Sequence, residues 1–268
     1  MALISTYLIT FNEEDKIENA IRSVQWSDEV LVIDSFSTDK TVSIAQSLGA
    51  KVVQVEFKGF GDLRNQALSH CQHDWVFSLD SDEICTPEVA QEIRQKIDNP
   101  SHDVFYVPRR NFFLGHEVKH SGWYPNYRQP QLFHKHCFKY DNLPVHAGFE
   151  LIGNAKVGHL QQAIWQFPFK NLAESIVKMN RYSTLGAVKK RQQNSSFAKA
   201  LGHAIWAFLK HYVFKLGILD GWQGFFIAFS YFEVTLYRYA KAVELNEGEA
   251  WYKEWKKKIA SSIAQKKV

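Results

Sequence analysis

At 268 residues the chain is long enough for one large α/β domain or a smaller one with an appendage, and its 46% apolar content excludes global disorder. Three widely spaced cysteines, Cys71, Cys85 and Cys137, with no CxxC pair, exclude a disulfide framework and a zinc knuckle, and a reducing cytoplasm is their expected setting. The net charge of +4 hides a split: residues 1–169 carry a net −6 and residues 170–268 a net +10, which predicts an anionic partner for the second part.

The opening MALISTYLIT lacks the basic start and cleavage site of a signal peptide, so Leu3–Ile9 is expected to be a buried first strand. Asn12 is expected to cap a helix, with Glu13, Glu14 and Asp15 in its first turn and Ile17, Ala20, Ile21 and Val24 as its apolar stripe. Glu29–Asp34 is the second strand. Ser37 or Thr38 is expected to cap a second helix that runs to Leu48 and is stopped by Gly49. Lys51–Phe57 (strand), Asp62–Cys71 (helix) and Trp75–Leu79 (strand) follow. Thr86-Pro87 opens a helix to about Ile97, and Asp103–Val107 is another strand. Strands alternating with short helices predict βαβ units and a mainly parallel sheet. From Arg109 to Gly158 the pattern is irregular, as expected of loops that carry an acceptor site. Four helices are predicted after Phe169: Asn171–Lys190, Phe197–Phe214, Gly221–Val243 and Gly248–Ala264. No uncharged apolar run approaches the roughly 18 residues of a spanning helix.

Three polar clusters follow three different strands: Thr10-Phe11-Asn12-Glu13, Asp34-Ser35 and Asp80-Ser81-Asp82. In an open parallel sheet the C-terminal strand ends share one edge, where the ligand crevice forms, so these clusters are expected to converge. Asp80 and Asp82 offer hard oxygen ligands of the kind Mg2+ and Mn2+ take from one or two carboxylates, the rest coming from substrate phosphates. Such an ion neutralises charge on a leaving diphosphate. The pairs His116/His120 and His134/His136 lack partners for a zinc site. Neither GxxxxGK[ST] nor GxGxxG is present, which removes ATPase and ordinary dinucleotide readings, and Cys71 and Cys85 read as structural thiols.

The segments TFNEE, VLVIDSFSTDKT, GFGDLRNQAL and WVFSLDSDE resemble inverting glycosyltransferase family 2, and more closely its lipopolysaccharide inner-core β-glucosyltransferase group. The likeness continues through WYPNYRQPQLF and LPVHAGF into KLGILDGWQGFFIAFSYF. It implies a GT-A α/β fold with a helical C-terminal extension: a catalytic domain over 1–168, with a nucleotide-sugar half (1–100) and an acceptor half (101–168), then a basic helical region over 169–268. By the same resemblance, Thr10, Asn12 and Glu13 line the base and ribose pocket, Asp34 accepts from a uracil N–H, Arg64 touches the nucleotide or its phosphates, and Asn65 shapes the turn there. Asp80 contacts ribose or metal, and Asp82 is the direct metal ligand. Plainer roles stand beside these: first-turn helix acids for Glu13 and Glu14, a surface ion pair for Arg64, a helix-start acid for Asp39, and a solvated or structural acid for Glu83.

Inverting transfer needs a base for the acceptor hydroxyl. Where the resembled group often shows Val-His-Glu, this chain has Val145-His146-Ala147, so Glu150 is the expected base, with Asp141 and Glu117 behind it. His146 contacts metal or diphosphate, or is a buried hydrogen-bonded histidine. The reaction so implied moves a hexose, glucose from UDP-glucose, onto an inner-core heptose of lipopolysaccharide. The alternatives are another envelope glycan, or an inactive nucleotide- or membrane-binding module.

Residues 197–255 hold 16 of the 39 aromatic side chains. Phe197, Leu201, Ile205, Phe208 and Tyr212 form a helical stripe flanked by Lys199, Lys210 and Lys215, and Trp251, Trp255 and Lys256–Lys258 close the chain. Helices packed on the α/β core or on a second subunit are one reading. The other is an amphipathic platform on the inner face of the cytoplasmic membrane, meeting a lipid-linked anionic glycan acceptor. Nucleic acid is not expected, because the basic residues lie among bulky apolar ones without a recognition motif.

Overall fold

A computed structural model of the chain describes residues 1–125, 129–141, 148–191 and 196–265. In chain order its elements are β1 (Ile4–Thr10), α1 (Ile17–Ser23), β2 (Glu29–Asp34), α2 (Thr41–Ser47), β3 (Lys51–Gln54), α3 (Phe60–His70), β4 (Trp75–Asp80), β5 (Glu83–Ile84) and α4 (Pro87–Asp98). Then come the short strands β6 (Val104–Tyr106), β7 (Arg109–Phe113), β8 (His116–Val118), β9 (Leu132–His134), β10 (Phe138–Tyr140), β11 (Phe149–Leu151), β12 (Val157–His159) and β13 (Ile164–Gln166). The helices α5 (Leu172–Lys190), α6 (Phe197–Leu209) and α7 (Gly221–Gln265) end the chain. Two compact units result: residues 1–112 with 123–168, and residues 113–122 with 169–268. A division at 168/169 therefore misses the segment 113–122, which the helical unit takes in.

The first unit is built on a seven-stranded sheet in the order β12-β6-β9-β4-β1-β2-β3. The four strands β3, β2, β1 and β4 are parallel, and β9 runs antiparallel to both β4 and β6. This is the mostly parallel α/β sheet of a GT-A fold. Strand β1 is buried along its whole length, and its period of two splits its side chains between two cores. Ile4 and Leu8 pack with Ile17, Ile21, Val32, Phe77, Val89 and Ile93, so the sequence stripes of α1 and α4 meet one face. Tyr7 and Ile9 pack with Leu31, Leu63, Phe133, Phe138 and Tyr140 on the other. Two smaller sheets complete the unit: β13 antiparallel to β5 and parallel to β7, and the antiparallel ribbon β10-β11.

Two predicted helix starts are displaced, for one reason. Asn12 does not cap α1, which begins at Ile17; it takes a left-handed backbone (φ 54°), and its Oδ1 accepts from Thr38 N at 2.8 Å. Ser37 and Thr38 do not cap α2, which begins at Thr41, because Ser37 Oγ accepts from Asn12 N at 2.8 Å. Asp39 is the helix-start acid, accepting from Thr41 N at 2.9 Å and from Glu14 N at 3.1 Å. Each loop thus spends its capping residues on the other. Thr86 caps α4 as expected, accepting from Val89 N at 3.4 Å.

In the second unit, α5 and α6 both pack on α7, largely through small buried residues such as Ala187, Ala200, Ala204 and Ala228. The two last predicted helices are one: α7 runs unbroken through Gly248, which costs a helix only about 1 kcal/mol. Asn246 donates to Arg191 O and accepts from Arg191 Nε, both at 3.0 Å. Between α6 and α7 the chain makes a wide turn of π type at Lys210–Phe214 and a tight 3-10 turn at Gly217–Asp220. Gly224 is required there, because a Cβ would sit 1.8 Å from Gly217 O. The buried Asp220 carboxylate accepts from Lys119 N, His120 N and Ser121 Oγ at 2.8–3.2 Å, which fixes residues 119–121.

Candidate functional site

Strand register assembles the site. Thr10 pairs with Asp34, Asp34 with Gln54, and Ile9 with Asp80, so the C-terminal ends of β1, β2, β3 and β4 present Thr10, Asp34, Gln54 and Asp80 along one edge. The three polar clusters do converge there.

Asp34 is fully buried, and its carboxylate accepts from Ser37 N at 2.9 Å, from Ser37 Oγ and from Gln54 Nε2 at 3.2 Å. Its partners pin the loop after β2. Thr10 Oγ1, Ser35 Oγ and Arg64 Nε are buried polar atoms with no hydrogen-bond partner among the described residues. Such atoms are costly unless something else satisfies them, and three of them around one edge mark a polar ligand's place. Glu13 lies in the same loop: its amide donates to Thr41 Oγ1 at 2.8 Å, its carbonyl accepts from Lys16 N and Ile17 N at 2.9 Å, and its carboxylate pairs with Lys16 at 3.4 Å.

Arg64 is not a surface residue. It projects from α3, is 8% exposed, and donates from Nη2 to Asp80 Oδ1 at 2.8 Å. Its guanidinium also lies over the Tyr140 ring at 5.6 Å, and Tyr140 OH meets Tyr7 OH at 2.9 Å. Burial works against charge at Arg64, but Asp80 beside it holds the guanidinium firmly protonated. Asn65 does not shape a turn. Lying within α3, it clasps β10 by donating from Nδ2 to Tyr140 O at 2.8 Å and accepting at Oδ1 from Tyr140 N at 3.0 Å.

Sequence reasoning missed the support beneath the Asp80-Ser81-Asp82 turn. Glu83 is fully buried and accepts from Asp80 N at 3.0 Å, Gln131 Nε2 at 2.8 Å and Arg109 Nε at 2.5 Å, and Arg109 is itself only 3% exposed. Burial pushes the Glu83 carboxyl upward and the Arg109 guanidinium pulls it back. Asp82 is half-buried; its carbonyl accepts from Phe167 N at 2.8 Å, and its carboxylate faces Gln166 Nε2 at 3.3 and 3.5 Å. Gln166 had no signal beyond its place in an aromatic stretch. Among the described residues no three His, Cys, Asp or Glu side chains converge on one metal position. The donor set is therefore two carboxylates at a strand end, which fits a hard divalent ion completed by phosphate and water. Burial pushes the thiols of Cys71 and Cys85 up to about 12, leaving neither as a nucleophile.

Glu150, expected as the base, is not brought to this edge. It sits on β11 directly opposite Lys139, both exposed, while the neighbouring Tyr140 and Phe149 fill the inner face of the ribbon. The period of two turns Glu150 away from the face that reaches Arg64 and Asp80. Glu150→Gln is accordingly expected to keep transfer within about threefold of wild type, as ordinary exposed substitutions do, in a steady-state assay of nucleotide release. A loss of 100-fold or more would restore it as the base. His146 lies outside the described residues. Asp141 closes β10 and donates its amide to Gly148 O at 3.0 Å. Glu117, on β8, belongs to the other unit. A surface concavity of about 460 Å3 lies beside α3, lined by Asn65, Ser69, Lys135, His136 and Lys139 among others; it contains none of the strand-end residues and is not the crevice.

The sequence model of Glycosyl transferase family 2 matches residues 5–152, a span that includes all of β1 to β11 but for the first residue of β1. An uncharacterized glycosyltransferase of Rickettsia bellii (strain RML369-C) is 28% identical over 263 residues, covering 91% of this chain and 87% of its own. The lipopolysaccharide core biosynthesis glycosyltransferase LpsC of Rhizobium meliloti is 28% identical over 201 residues, covering 69% and 70%. Among solved structures, S. aureus TarS 1–349 in complex with UDP-GlcNAc aligns with a TM-score of 0.49 at 20% identity, over 87% of this chain and 81% of that one. Glucosyl-3-phosphoglycerate synthase from Mycobacterium tuberculosis, in complex with Mn2+, UDP and glucosyl-3-phosphoglycerate, aligns with a TM-score of 0.37 at 29% identity, over 41% of this chain. The match spans 44% of that synthase.

Proposed function

This chain belongs to glycosyl transferase family 2 and is a nucleotide-sugar transferase, and on that premise we propose that it moves glucose from UDP-glucose, with inversion, onto an inner-core heptose of lipopolysaccharide. The observation that carries a donor crevice is the shared edge of β1, β2 and β4, with its three unpartnered buried polar atoms. Thr10, Ser35 and Arg64 offer a hydroxyl, a hydroxyl and a guanidinium N–H to the nucleotide. Asn12 and Glu13 shape the loop that closes over it. Asp34 acts chiefly by holding Ser37, and its carboxylate is the acceptor for a base N–H if Ser37 or Gln54 gives way. Asp80 and Asp82 would hold Mg2+ or Mn2+, which when bound neutralises charge on the departing diphosphate. Arg64, paired with Asp80, adds a second positive charge on the same side. The acceptor's base is sought among Glu150, Asp141 and Glu117, and the exposed place of Glu150 opposite Lys139 favours Asp141 over it.

The glucose donor and heptose acceptor rest on the sequence resemblance, and LpsC supports the acceptor through its name at 28% identity. On this reading the enzyme binds peripherally at the inner face of the cytoplasmic membrane, where a lipid-linked anionic acceptor lies, and the net +10 of residues 170–268 supports it. The test is a screen of UDP-, GDP- and CMP-sugars, reading released nucleotide with and without heptose-bearing core oligosaccharide. UDP-glucose with Mg2+ or Mn2+ is expected to give release that rises at least tenfold with acceptor. Preference for another sugar, or for a glycan without heptose, would replace this donor or acceptor. No release with any donor would make the chain a binding module.

A further inference from the structure

We propose that the apolar turn between α6 and α7, from Leu209 to Trp222, is the element that inserts into an anionic lipid surface. This rests on the peripheral-membrane reading above but gives the work to a different element from the lysine-rich end of the chain. Val213, Phe214, Leu216, Ile218, Leu219 and Trp222 are each 50–65% exposed, within ten consecutive positions. Trp206 extends the surface, its ring 5.4 Å from that of Phe214. Single exposed apolar residues are ordinary; a contiguous group of this size marks a contact surface. Leu216 adds a second sign. It holds a left-handed backbone (φ 55°), costly for a branched residue, yet half its surface is left in water.

The turn is also rigidly presented. Asp220 is buried beneath it, Gly224 abuts Gly217 O, and Ser121 N donates to Lys215 O at 2.8 Å. His211 donates from Nδ1 to Ser121 O at 2.8 Å and stacks on Tyr231 at 3.6 Å between centroids. A fixed wedge loses little freedom on insertion.

Charge selects the occupant. Between Glu174 and Glu233 the sequence has eight lysines and arginines and one acid, Asp220, whose carboxylate is buried and spent on backbone. Lys210 and Lys215 are exposed within the apolar turn, and Lys199 is exposed earlier on α6. A second copy docked symmetrically through this turn would set lysine against lysine, since the turn itself presents no exposed carboxylate. An anionic headgroup layer answers the lysines, and the acyl boundary takes the aromatic and aliphatic side chains.

The experiment is flotation of the whole protein with vesicles of phosphatidylcholine alone, or carrying about one-third phosphatidylglycerol. Wild type should float with the anionic vesicles and at least tenfold less with neutral ones. The triple variant Ile218→Ser, Leu219→Ser, Trp222→Ser should lose at least tenfold in partitioning with unchanged circular dichroism, since all three side chains face solvent. Lys256→Glu, Lys257→Glu, Lys258→Glu should keep most of its binding. Wild type at the bottom of the gradient overturns the membrane reading and this proposal with it. A floating triple variant beside a released lysine variant overturns the proposal and leaves the membrane reading standing. Dimeric wild type and monomeric triple variant by light scattering, without lipid, would make the turn a contact between copies and overturn it too.

Discussion

Asp82→Asn should lower the rate of sugar transfer by about 1,000-fold or more, the scale expected when a group that stabilises developing charge is removed. That factor is about 4 kcal/mol of transition-state stabilisation. The structure separates this effect from stability. The Asp82 carboxylate is half-exposed and faces Gln166 at long distances of 3.3 and 3.5 Å, while its fixed contact, from Phe167 N, is to the backbone carbonyl and survives the change. An amide in that place keeps the shape and loses the charge. The melting temperature should stay within about 2 °C of wild type, because an amide of the same shape in a half-exposed place disturbs no packing. A chelator should reproduce the loss in wild type, and Mg2+ or Mn2+ should reverse it there but not in the variant. Transfer by Asp82→Asn at wild-type rates, or wild-type transfer undiminished by chelator, would remove the metal from the mechanism.

Glu83→Ala should act in the opposite way, chiefly on stability. Glu83 and Arg109 are both buried and face each other at 2.5 Å, so removing one takes a buried counter-charge from the other. Breaking such a pair costs about 3–5 kcal/mol. For a domain of this size that is a fall of roughly 10 °C in melting temperature. Arg109→Ala should cost a similar amount. Joining Glu83→Leu to Arg109→Met should cost clearly less than the sum of the single changes, since apolar side chains of similar volume leave nothing charged behind. Even if refolded stably, the double variant should transfer poorly. Asp80 N would lose its acceptor, and with it the anchor of the turn that carries both aspartates. Additive melting shifts in the double-mutant cycle would show that the two residues do not act as a pair.

The strand edge was legible because it depends on local pattern. Apolar runs such as VLVID and WVFSLD end in polar residues, and parallel strands must align those ends. The support under the turn was not legible, because Glu83 finds Arg109 and Gln131 at separations of 26 and 48 residues, and no period in the sequence links them. The place of Glu150 was not legible either, for a related reason. Chain proximity to the His146 segment suggested the crevice, whereas the pairing of β10 with β11 decides which way the side chain points. The helix starts failed at Asn12 and Ser37 because a good capping residue is also a good loop-to-loop hydrogen-bonder, and propensity does not say which use wins. Gly248, read as the start of a separate helix, is merely a tolerated glycine in a long one.

The mutual bonding of the loops after β1 and β2 bears on how such an enzyme can acquire a new donor. Asn12 N reaches Ser37, Thr38 N reaches Asn12, Glu14 N reaches Asp39, and Lys40 N reaches Glu14 at 3.0 Å. Neither loop keeps its shape without the other's side chains, so a change in one is a change in both. Exchange of residues 11–16 alone from a relative with a different nucleotide preference would take away the side-chain acceptors of Thr38 N and Lys40 N and carry over little. Grafted together with residues 35–41, the same segment would bring its own partners. If these loops hold the donor as proposed, the heritable unit of donor choice is a pair of segments about two dozen residues apart, held as one surface by backbone amides.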